Sequence, residues 1–336
     1  MTRQTSRLAL TVTTESLPLA APFRISGHTF TEVPVVVARI RDGDLEGEGE
    51  AAGVYYLGDD VPRMTAAIEA VRGEVEAGAD RESLRRLLPP GGARNALDCA
   101  LWDLESRRSG QPVWRLAGLE PLRPLLTTFT LGADDPGAMA RQACVYAQAK
   151  ALKLKLTGEA DLDAERVRAV RKARPDVWLG VDANQGFRPD SLATLMPVLL
   201  ECGVKLLEQP FARGREADLD GFERPIPVAA DESVQSLADI EGLVGRFDVI
   251  NIKLDKCGGL TEGLAMAAEA RRLGLGVMVG NMVGSSLSMA PALVLGQLCD
   301  IVDLDGPILL ARDRTPSVVY EDGYVSYPDG RWGSGV

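Results

Sequence analysis

Charged side chains recur along the second half of the chain at nearly regular intervals. Asp182, Glu208, Asp231 and Lys253 follow one another at spacings of 26, 23 and 22 residues, with Lys153 and Lys155 before them and Asp303 and Asp305 after. Each closes a short apolar run, as in ALKLKL, VWLGVDAN, VKLLEQP and IPVAADES. Residues two apart on a strand share a face, so Lys153 projects with Lys155, Asp182 with Asn184, and Asp303 with Asp305. One lysine pair of this kind is ordinarily the wet face of an edge strand. One aspartate after a strand is ordinarily a helix cap. The repetition is harder to explain that way, because burying isolated charges costs several kcal/mol each. Three carboxylates brought together repel one another unless a cation lies among them. Without histidine or cysteine the set Asp182, Glu208 and Asp231 is hard, so Mg²⁺ fits best and Mn²⁺ next. An open Mg²⁺ site flanked by lysines suits the stabilisation of an oxyanion formed beside a carboxylate.

Such a site needs a scaffold that gathers strand ends. From Thr128 to Asp303 there are eight short apolar runs, and each but the last precedes an amphipathic stretch. Strands alternating with helices at that repeat length indicate parallel βαβ units, and eight of them point to a closed (β/α) barrel. Barrel active sites sit at the C-terminal mouth, where these charges fall. A doubly wound open sheet is the rival, but TLGADDPG is a poor match to its glycine-rich phosphate turn. Ahead of the barrel, residues 7–13, 33–41 and 46–51 read as strands and 62–109 as helical. Ala96, Ala100, Leu101 and Leu104 recur at helical spacing, and Gly110 with Pro112 ends that helix. Strands followed by helices make an α+β unit. The tail, 311–336, shows no helical period and is expected to pack back on this first domain.

Composition narrows the partners. The chain has 336 residues, enough for one large domain or two ordinary ones, and its 46% hydrophobic and 25% charged residues are those of a soluble globular protein. A net charge of −11 opposes binding to nucleic acid or an anionic membrane. The single histidine, His28, excludes a histidine-rich zinc site and counts against a Ser-His-Asp hydrolase. Five scattered cysteines without C-x-x-C suit a reducing compartment, so a cytoplasmic location is expected. No run of 18 apolar residues is present, and the first residues read as a strand rather than a signal peptide.

The motifs K-x-K (Lys153, Lys155), D-A-N (182–184), E-Q-P (208–210), A-D-E-S (230–233) and N-I-K-L-D-K-x-G-G (251–259) together resemble the enolase superfamily, in the branch holding muconate-lactonizing enzymes and dipeptide epimerases. IVDLDGP and RNALDCALWDLESRR are similar to the dipeptide epimerases within it, and most of all to the L-Ala-D/L-Glu type. The resemblance spans essentially the whole chain. It implies an α/β architecture, a modified (β/α)7β TIM-type barrel over residues 121–310. An α+β capping domain is formed by 1–120 and joined by the tail 311–336. It implies Mg²⁺ on Asp182, Glu208 and Asp231, and a dipeptide whose terminal carboxylate meets the metal. By the same resemblance Lys155 and Lys253 are expected on opposite faces of the adjacent carbon, inverting it through an ene-diolate. Lys153 is expected to touch the substrate carboxylate and Asp303 and Asp305 to hold the α-ammonium, and Thr128 and Asn281 match positions that contact substrate in this family. The implied ligand is small, neither nucleic acid nor membrane, and the resemblance leaves room for a homo-oligomer. Recycling of peptidoglycan peptides is the role implied by the Ala-Glu-like motifs.

Side-chain choice in this family sits on the loop after Pro22-Phe23. Members acting on Ala-Glu tend to place an arginine four or five residues past that phenylalanine, whereas here Arg24 follows it directly and Gly27-His28 occupies the expected place. Arg24 or His28 reaching a γ-carboxylate favours an acidic side chain. Phe30, Tyr55 and Tyr56 favour a hydrophobic one. A cycloisomerase or o-succinylbenzoate synthase shares the lysines and metal ligands but has no ammonium to hold, which counts against both. A metal-binding barrel without catalysis is opposed by the intact set of lysines and carboxylates.

Overall fold

The computed structural model describes residues 7–25, 28–328 and 332–336. The chain begins with an antiparallel sheet of β1 (Ala9–Ile25), β2 (His28–Asp42) and β3 (Leu45–Ala51), in that order. β1 is longer than the 7–13 expected from sequence. It runs on through Pro18 and Pro22 because it is the edge strand, where a missing N–H costs no ladder bond. Its register with β2 shifts between Pro18 and Phe23.

The helical stretch that follows is divided into α1 (Val61–Ala70), α2 (Arg72–Glu76), α3 (Arg81–Leu87), α4 (Gly92–Ser109) and α5 (Val113–Leu116). Asp60 and Asp80 cap α1 and α3 by accepting from Arg63 N and Ser83 N. Gly110, at φ 64°, and Pro112 end α4 as the sequence predicts. α4 is buried along almost its whole length and lies on β3. Small residues make that approach work: a Cβ on Gly47 would fall 2.2 Å from Ala100 O, and one on Gly49 2.1 Å from Ala96 O. The cap has its own core, with Ile40, Met64, Ile68, Leu97 and Leu104 in it.

A short strand, β4 (Leu125–Leu126), leads into eight parallel strands: β5 (Thr128–Leu131), β6 (Ala151–Lys155), β7 (Trp178–Asp182), β8 (Leu206–Glu208), β9 (Val228–Ala230), β10 (Val249–Ile252), β11 (Gly276–Val279) and β12 (Ile301–Val302). They neighbour one another strictly in chain order. Helices α6 (Pro136–Val145), α7 (Ala160–Ala173) and α8 (Pro189–Glu201) follow β5, β6 and β7. After β10 come α9 (Leu254–Cys257) and α10 (Leu260–Arg272), and after β11 α11 (Ser286–Gly296). The expected helices after β8 and β9 are instead 3₁₀ turns, Glu216–Leu219 and Leu237–Leu243. The first lies between Gly214 and Gly221, both at positive φ, with Pro225 and Pro227 beyond, and the second contains Gly242. These breakers leave no room for a full helix. Among the described residues no ladder pairs β5 with β12. Their ends meet through side chains: Thr128 Oγ1 donates to Asp303, Thr130 N to Asp305 Oδ2, and Leu304 N to Thr127 Oγ1.

Alternation along the strands sorts the interior. Leu206, Ala229, Val249 and Met278 form an apolar floor inside the barrel, with Trp178 and Ile301 at its margin. Two residues further along, β8 carries Glu208, and two beyond Ala229 stands Asp231. The opposite strand faces join the helices in the main core. The tail forms β13 (Val319–Glu321) and β14 (Tyr324–Ser326), with β14 paired to β4. It then reaches the cap, where Trp332 Nε1 donates to Glu48 O and Arg314 pairs with Glu50 and Glu15. No helix among the described residues is long and apolar enough to cross a membrane.

Gly49→Ala pushes α4 off β3 and should cost about 1–3 kcal/mol, read as a lower midpoint in urea with an unchanged slope. Asp98 and Asp255 lie in the seam between cap and barrel, and burial pushes their carboxyls from 3.8 up to about 6 and about 7. A carboxyl raised by folding gives stability that is full below its ordinary range and lost as pH rises through the folded value. The double variant Asp98→Asn/Asp255→Asn should therefore gain melting temperature relative to wild type between pH 5 and 8. An unchanged difference across that interval would contradict it.

Candidate active site at the barrel mouth

Register explains the site before its chemistry does. Lys155 on β6 pairs with Asp182 on β7, and Asp182 with Glu208 on β8. Asp231 follows β9 by one residue and Lys253 follows β10 by one. One carboxylate oxygen from each of Asp182, Glu208 and Asp231 lies within 4.8 Å of the others, and all three side chains are buried. This is the convergence expected from the strand ends.

Lysines surround the carboxylates. Lys155 Nζ is 2.5 Å from Asp182, and Lys253 Nζ is 2.6 Å from Asp231. Lys153 lies 3.2 Å from Glu208 and 3.9 Å from Asp182 and pairs with Asp303. Lys256 lies 2.5 Å from Asp231 Oδ1 and also donates to Asn251 O. The cluster thus sets Asp182, Glu208, Asp231 and Asp303 against Lys153, Lys155, Lys253 and Lys256. Asn251 Nδ2 donates to Glu208 Oε1 at 2.7 Å, and Gln209 Oε1 accepts from Asp231 N and Ser233 N. Asn184 and Gln209, just past the ligand-bearing strand ends, hold positive φ of 42° and 36°. Such strained non-glycine residues persist where the surroundings over-determine them, commonly at functional sites.

The protonation tendencies follow from burial set against neighbours. Burial alone would lower Lys153 and Lys253, but nearby carboxylates outweigh it. Asp303, Glu208 and Asp182 keep Lys153 above its usual range, and Asp231 leads in doing so for Lys253. For Lys256 burial prevails and its pKa falls. Burial would raise Asp231, yet Lys253 and Lys256 hold it low. Burial, then the Asp182 charge, pushes Glu208 up to about 7.

Above the cluster lies a cavity of about 210 Å³. Lys155, Lys253, Asp231, Glu232 and Asn184 line its base, and Phe23, Phe30, Tyr55 and Tyr56 of the cap line its wall. Phe30 and Tyr55 stack edge to face, as do Tyr55 and Tyr56. Asn281 also lines the cavity, and its Nδ2 donates to Asp303 O. Thr128, Lys153, Asp303 and Asp305 are buried and do not belong to the lining. Asp305 has no ion-pair partner among the described residues. Burial, then Asp303, pushes it up to about 6. Arg24 faces away and pairs with Asp134 at 3.2 Å, both about half exposed. His28 opens β2, and its side chain lies outside the described residues. Sequence reasoning gave no role to Lys256, Asn251, Gln209 or Glu232. Lys256 had a signal: it stands three residues after Lys253, and one helical turn puts such a pair on one side. Glu232 is buried at the cavity with Oε2 unpartnered.

The donor set is all oxygen, buried and mutually close, which fits a hard divalent cation held by Asp182, Glu208 and Asp231. Comparison with known proteins agrees. Residues 7–118 match the mandelate racemase/muconate lactonizing enzyme N-terminal domain, and residues 137–336 the enolase C-terminal domain-like family. An L-Ala-D/L-Glu epimerase of Escherichia coli K12 is 40% identical over 309 residues, covering 92% of this chain and 96% of the relative. A solved enolase family member from Agrobacterium tumefaciens, described as homologous to dipeptide epimerases and holding sodium and L-Ala-L-Glu, is 45% identical. It has a TM-score of 0.94 and covers 97% of this chain and 100% of that one. A dipeptide epimerase from Methylococcus capsulatus, solved with Mg and L-Arg-D-Lys, is 32% identical with a TM-score of 0.88, covering 95% and 96%.

Binding of Mg²⁺ to the folded state alone should raise the melting temperature, by about 2.7 kcal/mol of stability at a hundredfold excess over its dissociation constant. Chelation should reverse the rise, and Glu208→Gln should abolish most of it. A full rise in that variant would place the ion elsewhere.

Proposed function

The chain belongs to the mandelate racemase and muconate lactonizing enzyme family of the enolase superfamily, and from that footing we propose an isomerase that inverts the Cα of the C-terminal residue of a dipeptide, with Lys155 and Lys253 as its two bases. The observation that carries this reading is the placement of the two lysines. They stand on or just after β6 and β10, four strands apart in an eight-stranded sheet, and both line one cavity. A carbon bound between them has an amine on each face.

The chemistry asked of these residues is a 1,1-proton transfer. As a neutral amine, one lysine takes the proton from Cα, and the electron pair of the C–H bond passes into the adjoining carboxylate. As an ammonium, the other lysine delivers a proton to the opposite face, and the reverse reaction exchanges their roles. Asp182, Glu208 and Asp231 would hold the dication, which when bound would supply positive charge to stabilise the anion left on the substrate. The aromatic wall of Phe23, Phe30, Tyr55 and Tyr56 lowers the polarity around a bound substrate, which strengthens the charge interactions beneath it. Lys153, buried against Glu208 and Asp303, adds fixed positive charge near the substrate carboxylate.

Asp303 and Asp305 we assign to the substrate's ammonium, with Thr128 and Asn281 beside them. The support is Asp305, a buried acid with no ion-pair partner among the described residues. For the side chain we favour glutamate, as in the names of the relatives, read by Arg24 or His28. The pair of Arg24 with Asp134 is exposed and such pairs are worth little, so turning Arg24 inward costs little. A second reading, an apolar side chain, is favoured by the wall of Phe23, Phe30, Tyr55 and Tyr56. Free cysteines throughout the chain suit a cytoplasmic setting, in which an L-Ala-L-Glu epimerase serves the recycling of peptidoglycan peptides.

Deuterium uptake at Cα from a library of L-Ala-L-Xaa dipeptides in D₂O tests the reading. Wild type should epimerise L-Ala-L-Glu, and Lys155→Ala or Lys253→Ala should lose about 10²–10⁴ in rate. Full-rate epimerisation by both variants would remove the lysines from the mechanism. Preference for L-Ala-L-Phe would favour the apolar side-chain reading over the acidic one.

A further inference from the structure

The α4 motif RNALDCALWDLE and the turn after β10 are joined across the seam between cap and barrel, and the proton transfer itself uses neither junction. Lys253 is the N-cap of the single-turn helix α9. Arg94 of α4, 3% exposed, donates to the carbonyls of Cys257 and Gly258 at the far end of that turn. Those are end-of-helix carbonyls with no partner inside the helix, so the guanidinium fills a real deficit. Asp98, one turn further along α4, accepts from Thr261 N at 3.0 Å and from its hydroxyl at 2.6 Å. Asp255, two residues after Lys253, accepts from Ala52 N at 2.9 Å and Gly53 N at 3.0 Å. Those amides belong to the cap segment that leads into Tyr55 and Tyr56 of the cavity wall.

The approach is built into the backbone. Gly258 and Gly259 hold φ of 82° and 112°, and a Cβ on them would fall 2.2 Å from Arg94 Nε and 2.4 Å from Asp98 Oδ2. Lys155 is placed differently. It ends a strand paired to β5 on one side and β7 on the other.

We propose that Arg94, Asp98 and Asp255 form an interdomain clamp of positioning residues that sets Lys253 against the cap wall, while Lys155 is positioned by the barrel alone. The clamp rests on the two-base reading above. It makes the two faces of the reaction unequal in origin: one base is registered to the wall that meets the substrate side chain, and the other is not.

Exchange from each epimer separately distinguishes this from general support of the fold. Lys253→Ala first identifies which epimer presents its Cα–H to Lys253. Arg94→Met and Asp255→Ala should then slow exchange from that epimer about tenfold or more, since small misplacements of a reacting group are costly, and leave the Lys155 side within about twofold. Asp255→Asn keeps both acceptor bonds and should stay near wild type, and Arg94→Lys should recover part of the loss. Amide hydrogen exchange should rise over residues 253–261 and not over 151–156. Equal loss on both faces in step with melting temperature overturns the clamp, as does no loss on either. Wild type inert toward every dipeptide overturns the epimerase reading, and the amide exchange of 253–261 then decides the clamp alone.

Discussion

A dense set of opposite charges, shut away from water, is the constraint around which this molecule is arranged. Four carboxylates pair with four lysines at the barrel mouth, and two more buried acids, Glu232 and Asp305, stand beside them without an ion-pair partner among the described residues. Removing one partner of such a set leaves an uncompensated buried charge, which costs far more than the pair contributes. The apolar floor below keeps the charges at one level. The parallel register brings Lys155, Asp182 and Glu208 side by side without any loop having to fold over them. The cap then walls the cavity with the aromatic rings of Phe23, Phe30, Tyr55 and Tyr56, with Asp59 and Asp60 beside them.

Much of this was legible in the chain. Strand ends repeating every 22–26 residues gave the barrel, because a closed parallel sheet is the arrangement that turns a sequence period into spatial convergence. All eight apolar runs became strands. The helices were less legible after β8 and β9, where amphipathic stretches were read as helix although glycine and proline had already broken them. β1 was ended at residue 13, short of Pro18 and Pro22, since edge position, which lets the strand run on through both, is a property of the sheet and not of the segment.

At the site, the convergence of Asp182, Glu208, Asp231, Lys153, Lys155 and Lys253 was legible from their spacing and their places at strand ends. Lys256, Asn251 and Gln209 were not, because each works by holding another side chain and carries no periodic mark of its own. Arg24 shows a different limit: its neighbour Asp134 is 110 residues away in sequence, and only the folded chain brings them together. The wall residues Phe30, Tyr55 and Tyr56 belong to the cap but line the cavity at the barrel mouth, and the sequence had already set them beside the substrate side chain.

The junction of β5 with β12 has a consequence of its own. Every other stave of the barrel is glued to its neighbour by main-chain bonds, whereas this one is fastened by Thr127, Thr128, Thr130, Asp303 and Asp305. Two of the fasteners, Asp303 and Asp305, are the acids assigned to the amino end of the ligand. A molecule that took them over would share the seam with the Thr127 hydroxyl, which keeps its own bond to Leu304 N, so the rim would be finished partly by its own cargo.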